Sequence, residues 1–125
     1  MAKKILVIDD EKDMRIYLST LFSKAGYEVD TASNGSEAIT KARSFRPDLV
    51  TLDVLMPKKS GVKAYHDLRS TPETRDIPVF ILTGLAQQED FFSEETAGVR
   101  KPEGIFEKPI KRDSFLEKVR ETIGG

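Results

Sequence analysis

The sequence predicts a single α/β domain in which a parallel β-sheet is covered by helices on both faces. Short apolar runs, suited to strands buried on both faces, alternate with stretches whose apolar residues recur at helical spacing. The chain has 125 residues, of which 38% are hydrophobic. This is enough for one core and too short for several domains. Strands that alternate with helices imply right-handed crossovers, which make the strands parallel.

Each predicted strand is a short apolar or alternating run bounded by turn residues. The strands are predicted at residues 5–8, 27–31, 49–52 and 77–82, and a short fifth strand is expected shortly before Lys108.

Helices are predicted from apolar spacing and from residues that begin or end helices. Tyr17 and Phe22 are expected to face the core from the first helix, which ends at Gly26. Asn34, followed three residues later by Glu37, has the pattern of an N-cap with its capping acid and predicts the second helix. Two further helices are centred on residues 62–68 and 114–123.

The segment between the fourth and fifth strands has no regular pattern. Residues 97–104 contain Pro102 with a glycine on either side, which disfavours a continuous helix. We therefore expect the helix of this segment to be displaced or short. Such a helix would expose Phe91 or Phe92 as part of a partner surface.

Composition and charge exclude several classes of function. Lys and Arg total 20 and Asp and Glu total 21, so the net charge is -1, and without a basic block no nucleic-acid binding is expected. The absence of cysteine excludes disulfides and Cys-ligated zinc and suits a reducing compartment. Neither a signal peptide nor a membrane-spanning run is present, so we expect a cytoplasmic protein without membrane contact.

Polar residues follow the predicted strands, at the edge of the sheet where ligands bind in such folds. Three carboxylates, one hydroxyl and one ammonium group lie there: Asp9, Asp10, Asp53, Thr83 and Lys108. Carboxylates this close repel one another, so at least one of them should have a raised pKa unless a cation lies among them. A set of oxygen ligands without Cys or His suits Mg²⁺. The hydroxyl and ammonium suit a phosphoryl group, for which Asp53 could be the nucleophile.

These motifs resemble those of the receiver domains of two-component response regulators. The resemblance rests on residues 5–11, on Asp53 followed by Met56-Pro57 and Gly61, on Thr83-Gly84 and on Lys108-Pro109. It covers essentially the whole chain and implies one receiver domain over residues 1–125. It also implies a flavodoxin-like, doubly wound sheet of five strands in the order 2-1-3-4-5.

The resemblance implies how the acids act. Asp53 would accept a phosphoryl group from a histidine kinase or a phosphotransfer protein. Mg²⁺ would be bound directly by Asp10 and Asp53, by Asp9 largely through water, and by the backbone carbonyl of Leu55. The loop that contains Met56-Pro57 and Gly61 would lie beside this site.

The resemblance also implies that Thr83 and Lys108 each bind a phosphoryl oxygen, and that the Lys108–Pro109 peptide bond is cis. Typical receivers have an aromatic residue three positions before this lysine, which couples phosphorylation to the output face. Here Ile105 occupies that position, and Phe106 should point to the opposite face of the strand. Phe106 is therefore not expected to replace the aromatic residue without a shift in register.

The function favoured by these residues is a signalling module that changes its surface for a downstream protein target on phosphorylation. A phosphorylation-dependent homodimer is left open, and so is a receiver excised from a larger regulator or hybrid histidine kinase. A Mg²⁺-dependent phosphohydrolase is disfavoured because Leu55 stands where such enzymes carry an acid, so no enzymatic turnover is expected. Leu55 and Leu85 offer no group to orient water, which predicts a long-lived aspartyl phosphate. His66 is predicted to be a solvated helix residue.

Overall fold

A computed structural model describes residues 2–53, 60–84 and 100–125. Its elements, in chain order, are β1 (Lys4–Ile8), α1 (Lys12–Lys24), β2 (Glu28–Ala32), α2 (Gly35–Phe45), β3 (Leu49–Asp53), α3 (Ser60–Ser70), β4 (Val79–Thr83), β5 (Gly104–Glu107) and α4 (Arg112–Ile123). The part of the chain that the structure describes contains no helix long and apolar enough to cross a bilayer.

The strands form one parallel sheet in the order β2-β1-β3-β4-β5, which confirms the predicted fold class and strand order. Ile8 at the end of β1 pairs with Ala32 on one side and with Leu52 on the other. Asp53 at the end of β3 pairs with Leu82. This register brings the carboxyl ends of the strands to one edge of the sheet.

Alternate side chains of each strand enter two different cores, one on each face of the sheet. The first core joins the sheet to α2 and α3 and includes Leu6, Ile8, Leu52, Tyr65 and Leu68. The second core joins the sheet to α1 and α4 and includes Ile5, Val7, Phe22, Phe80 and Phe115. Helices therefore cover both faces, as the continuous apolar strands predict.

The two faces of β5 confirm the expected separation of Ile105 from Phe106. Ile105 packs against the core formed with α2 and α3, whereas Phe106 packs against the core formed with α1 and α4. The Phe106 ring centroid lies 5.0 Å from that of Phe80 and 5.0 Å from that of Phe115. A side chain at Gly104 would begin 2.8 Å from the Phe106 ring, so the ring uses the space that this glycine leaves.

The structure corrects two predictions, one from helical spacing and one from the family resemblance. Tyr17 is 44% exposed and does not face the core. The buried face of α1 is formed by Leu18 and Phe22, and Tyr17 lies about 100° around the helix from Leu18, at the margin of that face. Gly61, expected in the loop after β3, is the second residue of α3. The expected displaced helix and the exposure of Phe91 or Phe92 lie outside the described residues.

Strand and helix ends differ from the predicted ones by one or two residues. β4 begins at Val79 because Pro78 has no N–H group to donate to a neighbouring strand. The last helix begins at Arg112, two residues before the predicted start. His66 is exposed in α3, as predicted. The predicted N-cap of α2 is confirmed: the Asn34 side chain accepts a hydrogen bond from the Glu37 N–H at 2.9 Å.

Asn34→Ala is expected to lower the free energy of unfolding by about 1 kcal/mol, because the Glu37 N–H at the start of α2 loses its acceptor. Urea denaturation measures the change. Asn34→Asp keeps an acceptor oxygen at the same place and serves as the control. An equal loss in both variants would contradict the capping role.

Candidate functional site

The turn between β1 and α1 holds Asp9 in a fixed orientation. The Asp9 N–H donates to the carbonyl of Ala32 in β2 at 3.0 Å, which continues the sheet by one residue. The Asp9 Oδ1 atom accepts the Glu11 N–H at 2.9 Å, and Arg15 Nη1 donates to the Asp9 carbonyl at 2.8 Å. Asp9 is therefore buried with its backbone bound on both sides, while Asp10 and Glu11 remain exposed.

Asp53 reaches the same place from the end of β3, and its side chain is 1% exposed. One carboxylate oxygen from each of Asp9, Asp10, Glu11 and Asp53 lies within 4.8 Å of the others. The predicted convergence of the three aspartates is thus present. Glu11 joins them, although sequence reasoning had not assigned it to the cluster.

Lys108 brings positive charge to this cluster from the residue after β5. Its Nζ atom lies 3.2 Å from Asp53 Oδ2 and 3.7 Å from Asp9 Oδ2. The Lys108 N–H donates to the carbonyl of Thr83 at 2.9 Å, and the Lys108–Pro109 peptide bond is cis, as expected. The ammonium group therefore faces both buried carboxylates at once.

Thr83 is buried at the end of β4, one residue beyond the partner of Asp53 in the sheet. Its hydroxyl donates to the carbonyl of Gly84 at 3.1 Å. The sheet thus places Thr83 between the strands that carry Asp53 and Lys108. Leu55 lies outside the described residues, and so does the Met56-Pro57 turn.

Burial raises the pKa of Asp9 to about 6. The Glu11 N–H lowers this pKa, the negative charge of Asp53 raises it, and the ammonium group of Lys108 lowers it. The expected raised pKa within the cluster is confirmed at Asp9, although burial contributes more than repulsion between carboxylates.

The donor set of the cluster suits a hard divalent cation. All four candidate ligands are carboxylates, the ligand type that Mg²⁺ and Ca²⁺ prefer over imidazole or thiolate. Asp9 Oδ2 is buried and accepts no hydrogen bond from the described residues, although the Lys108 ammonium lies 3.7 Å away, so this oxygen is available as a ligand. The site therefore fits a Mg²⁺ ion.

Arg15 is a second residue of this site that sequence reasoning did not find. Its guanidinium group binds the backbone of Asp9, and its own N–H donates to the Glu11 carbonyl at 3.0 Å. Its position four residues after Glu11, on the first turns of α1, is the one available signal. An arginine at that spacing is common on solvated helices, so the sequence alone does not single it out.

The model of the response regulator receiver domain family matches residues 5–120. The chain belongs to this family. Receiver domains act in two-component signalling, and the family resemblance drawn from the sequence motifs is confirmed. The polar-differentiation response regulator DivK of Brucella anthropi is 33% identical over 125 residues, covering 99% of the receiver and 98% of DivK. The receiver spans about half the length, 51%, of other curated relatives that it matches.

Two solved structures share the fold of the receiver. Vibrio cholerae chemotaxis protein CheY4 is 30% identical with a TM-score of 0.84, over 98% of the receiver and 99% of that chain. The receiver domain of sensor histidine kinase PA1611 from Pseudomonas aeruginosa is 25% identical with a TM-score of 0.84, over the full length of both chains. The latter structure is described with a magnesium ion coordinated in its active site cleft.

Asp9→Asn is expected to stabilise the metal-free protein more at neutral than at acidic pH. Between the unfolded pKa, near 3.8, and the folded pKa, about 6, unfolded Asp9 loses its proton before folded Asp9 does. Wild-type stability therefore falls as pH rises through this window, while the variant keeps the Glu11 contact without the charge. The increase in the free energy of unfolding that Asp9→Asn causes should be roughly 2 kcal/mol larger at about pH 7.5 than at about pH 4.5.

Urea denaturation of both proteins in EDTA, at the two pH values, measures this difference. Asp13→Asn, at an exposed acid in the first turn of α1, controls for a general change of charge. An Asp9→Asn gain that is the same at both pH values would contradict the raised pKa.

Proposed function

We propose that this receiver is a phosphoacceptor in which Asp53 takes a phosphoryl group from a histidine kinase or a phosphotransfer protein. The observation that supports this most directly is the contact of the Lys108 ammonium group with both buried carboxylates, Asp53 and Asp9. A nucleophilic carboxylate must approach an anionic phosphoryl group, and positive charge at this place offsets the repulsion.

In this reaction an oxygen of Asp53 attacks phosphorus as the nitrogen–phosphorus bond of a phosphohistidine breaks. The product is an acyl phosphate on Asp53, and the imidazole of the donor takes up a proton. Lys108 would follow the transferred charge by pairing with a phosphoryl oxygen, since its Nζ atom already lies 3.2 Å from Asp53. Thr83, buried at the end of β4, would donate its hydroxyl to another phosphoryl oxygen.

Asp9, Asp10 and Asp53 would hold Mg²⁺, with Asp9 acting largely through water and the carbonyl of Leu55 as a further ligand. Glu11 lies in the same cluster, but the receiver resemblance gives it no ligand role, so we assign it none. When bound, Mg²⁺ supplies positive charge to the phosphoryl oxygens. The all-carboxylate donor set supports this assignment, as does the magnesium ion described for the PA1611 receiver.

The phosphoryl donor is a separate protein or domain. The sequence contains one histidine, His66, which is exposed in α3 and lies 3.4 Å from the Ser70 hydroxyl. Leu55 stands where phosphohydrolases of this kind carry an acid, which favours a signalling role over repeated turnover. We therefore infer that the output is a changed surface for a downstream protein, and we place the domain in the cytoplasm. Phosphorylation-dependent dimerisation stays open.

The same chemistry would serve in a longer protein. The chain spans about half of several relatives, 51% of their length, and the PA1611 domain belongs to a sensor histidine kinase. The alternative is therefore a receiver module, residues 1–125, within a larger regulator or hybrid kinase. The site chemistry is unchanged in that case, and the output belongs to the rest of the protein.

Incubation with Mg²⁺ and acetyl phosphate is expected to add a single phosphoryl group to the wild-type protein, seen by intact mass spectrometry. Asp53→Asn removes the nucleophile and should abolish the adduct. Asp13→Asn, with the same chemical change at an exposed acid, should retain it. An adduct that persists in Asp53→Asn would contradict the assignment, and continuous release of phosphate would indicate a phosphohydrolase instead.

The adduct is expected to decay slowly, with a half-life of minutes or longer, because Leu55 and Leu85 offer no polar group to orient water. Decay of the phosphorylated mass after removal of acetyl phosphate measures the half-life. Leu85→Asn introduces a group that can orient water and should shorten it. A half-life of only seconds in the wild type would contradict this prediction.

A further inference from the structure

An ion pair joins α3 to the segment before β5, on the side of the sheet where the strands begin and opposite the candidate site. The Arg69 side chain is 1% exposed, and its Nη2 atom lies 2.6 Å from Glu103 Oε1. Arg69 Nη1 donates to the carbonyls of Arg75 at 3.0 Å and Ile77 at 2.8 Å, and Nε donates to the Tyr65 hydroxyl at 3.1 Å. A buried arginine with this many partners holds its side chain in one place.

Glu103 connects the Arg69 side chain to the place where the pairing of β4 with β5 begins. Its Oε1 atom accepts the Val79 N–H at 2.7 Å, and its own N–H donates to the Val79 carbonyl at 3.0 Å. One residue therefore binds both backbone polar groups of the first residue of β4. The second carboxylate oxygen of Glu103 binds Arg100 at 2.6 Å, and the Tyr65 hydroxyl donates to the Arg100 carbonyl.

β5 is held in its middle by packing, since Ile105 and Phe106 enter the two cores on opposite faces of the sheet. It is four residues long, lies at the edge of the described sheet and pairs with β4 alone. Three of its residues are half-buried and Glu107 is exposed. Because β5 has one neighbouring strand in the described sheet, the contacts of Glu103 with Val79 hold its beginning against β4.

The position of Lys108 depends on the register of β5. Lys108 is the next residue after the strand, and its N–H donates to the Thr83 carbonyl at 2.9 Å. A slip of one residue would move it by about 3.3 Å along the strand direction. It would also turn the Lys108 side chain to the opposite face of the sheet, away from Asp53, whose Oδ2 now lies 3.2 Å from Nζ.

We infer that Glu103, held by Arg69, is a positioning residue for phosphorylation, because it fixes the register of β5 and thereby places Lys108 against Asp53. The inference rests on the proposed phosphoacceptor function. Glu103 lies five positions before Lys108, at the other end of β5, and acts on the site only through the strand.

The first test needs neither metal nor phosphate. In Glu103→Ala, amide hydrogen exchange of Lys108, measured by NMR in EDTA, should be faster by about tenfold or more. Exchange of Asp9, whose N–H binds Ala32 on the far side of the sheet, should stay unchanged. Glu73→Ala is the matched control, because it breaks an exposed ion pair with Arg43 that has no contact with β5. Unchanged Lys108 exchange in Glu103→Ala would overturn the inference.

The second test is a double-mutant cycle on the rate of phosphorylation by acetyl phosphate. Glu103→Ala should slow the wild type by about tenfold or more, since small misplacements of a positioning group cost at least that much. In a Lys108→Ala background, Glu103→Ala should cause no further loss. An equal loss in both backgrounds would show that Glu103 acts independently of Lys108 and would overturn the inference.

Mg²⁺ affinity, measured by calorimetry, separates positioning from general damage. Displacing the Lys108 ammonium from the carboxylates should raise the affinity in Glu103→Ala, as it should in Lys108→Ala. A merely loosened fold would lower it, and that result would overturn the inference. If Glu103→Ala does not fold, Glu103→Gln removes the charge that pairs with Arg69 and Arg100 and keeps an acceptor for the Val79 N–H. It should change Lys108 exchange, phosphorylation and Mg²⁺ affinity in the same directions but by less, and no change in any of them would overturn the inference. If the wild type takes up no phosphoryl group, the proposed function fails, and hydrogen exchange alone decides the inference.

Discussion

The contact of the Lys108 ammonium group with Asp53 and Asp9 is the interaction on which the arrangement of the candidate site depends. Two carboxylates buried side by side lose hydration and repel each other, and a cation among them offsets both costs. Strands lie about 4.8 Å apart, so a side chain from β5 must cross β4, roughly 10 Å in total, to reach β3. The Lys108 side chain covers part of this distance and the Asp53 side chain covers the rest, so that Nζ and Oδ2 lie 3.2 Å apart. The parallel register of β4 and β5 sets where Lys108 begins.

The carboxylate cluster lowers the stability of the folded protein and favours the binding of a cation. Asp9 has a raised pKa because its charged form is poorly solvated, so at neutral pH its ionised carboxylate is less favourable in the folded protein than in the unfolded chain. A divalent cation among these oxygens removes that cost and stabilises the folded state. Asp9 and Asp53, the two buried carboxylates of this cluster, are therefore placed unfavourably for folding without a cation, which supports the proposed Mg²⁺ site.

Most of the fold and of this cluster could be predicted from the sequence because their signals are local. A continuous apolar run predicts a buried strand, and the residue after it is then expected where the parallel strands end. Asn34 with Glu37 predicts the start of a helix. The errors arose where the local signal was weak. Tyr17 lies at the margin of a buried helical face, where spacing assigns no clear side. Arg69 and Glu103 are 34 positions apart, and no periodic pattern relates a helical arginine to a residue before a distant strand.

The structure also restricts how a change at Lys108 can reach the surface. Ile105 faces α2 and α3, so the position that carries an aromatic residue in typical receivers holds an aliphatic side chain packed in a core. Phe106 faces the other core, where its ring fills the space beside Gly104 between Phe80 and Phe115. Moving that ring to the opposite face requires a slip of the whole strand. Because Phe115 belongs to α4 and its ring lies against that of Phe106, a displacement of β5 as a unit reaches that helix by direct packing.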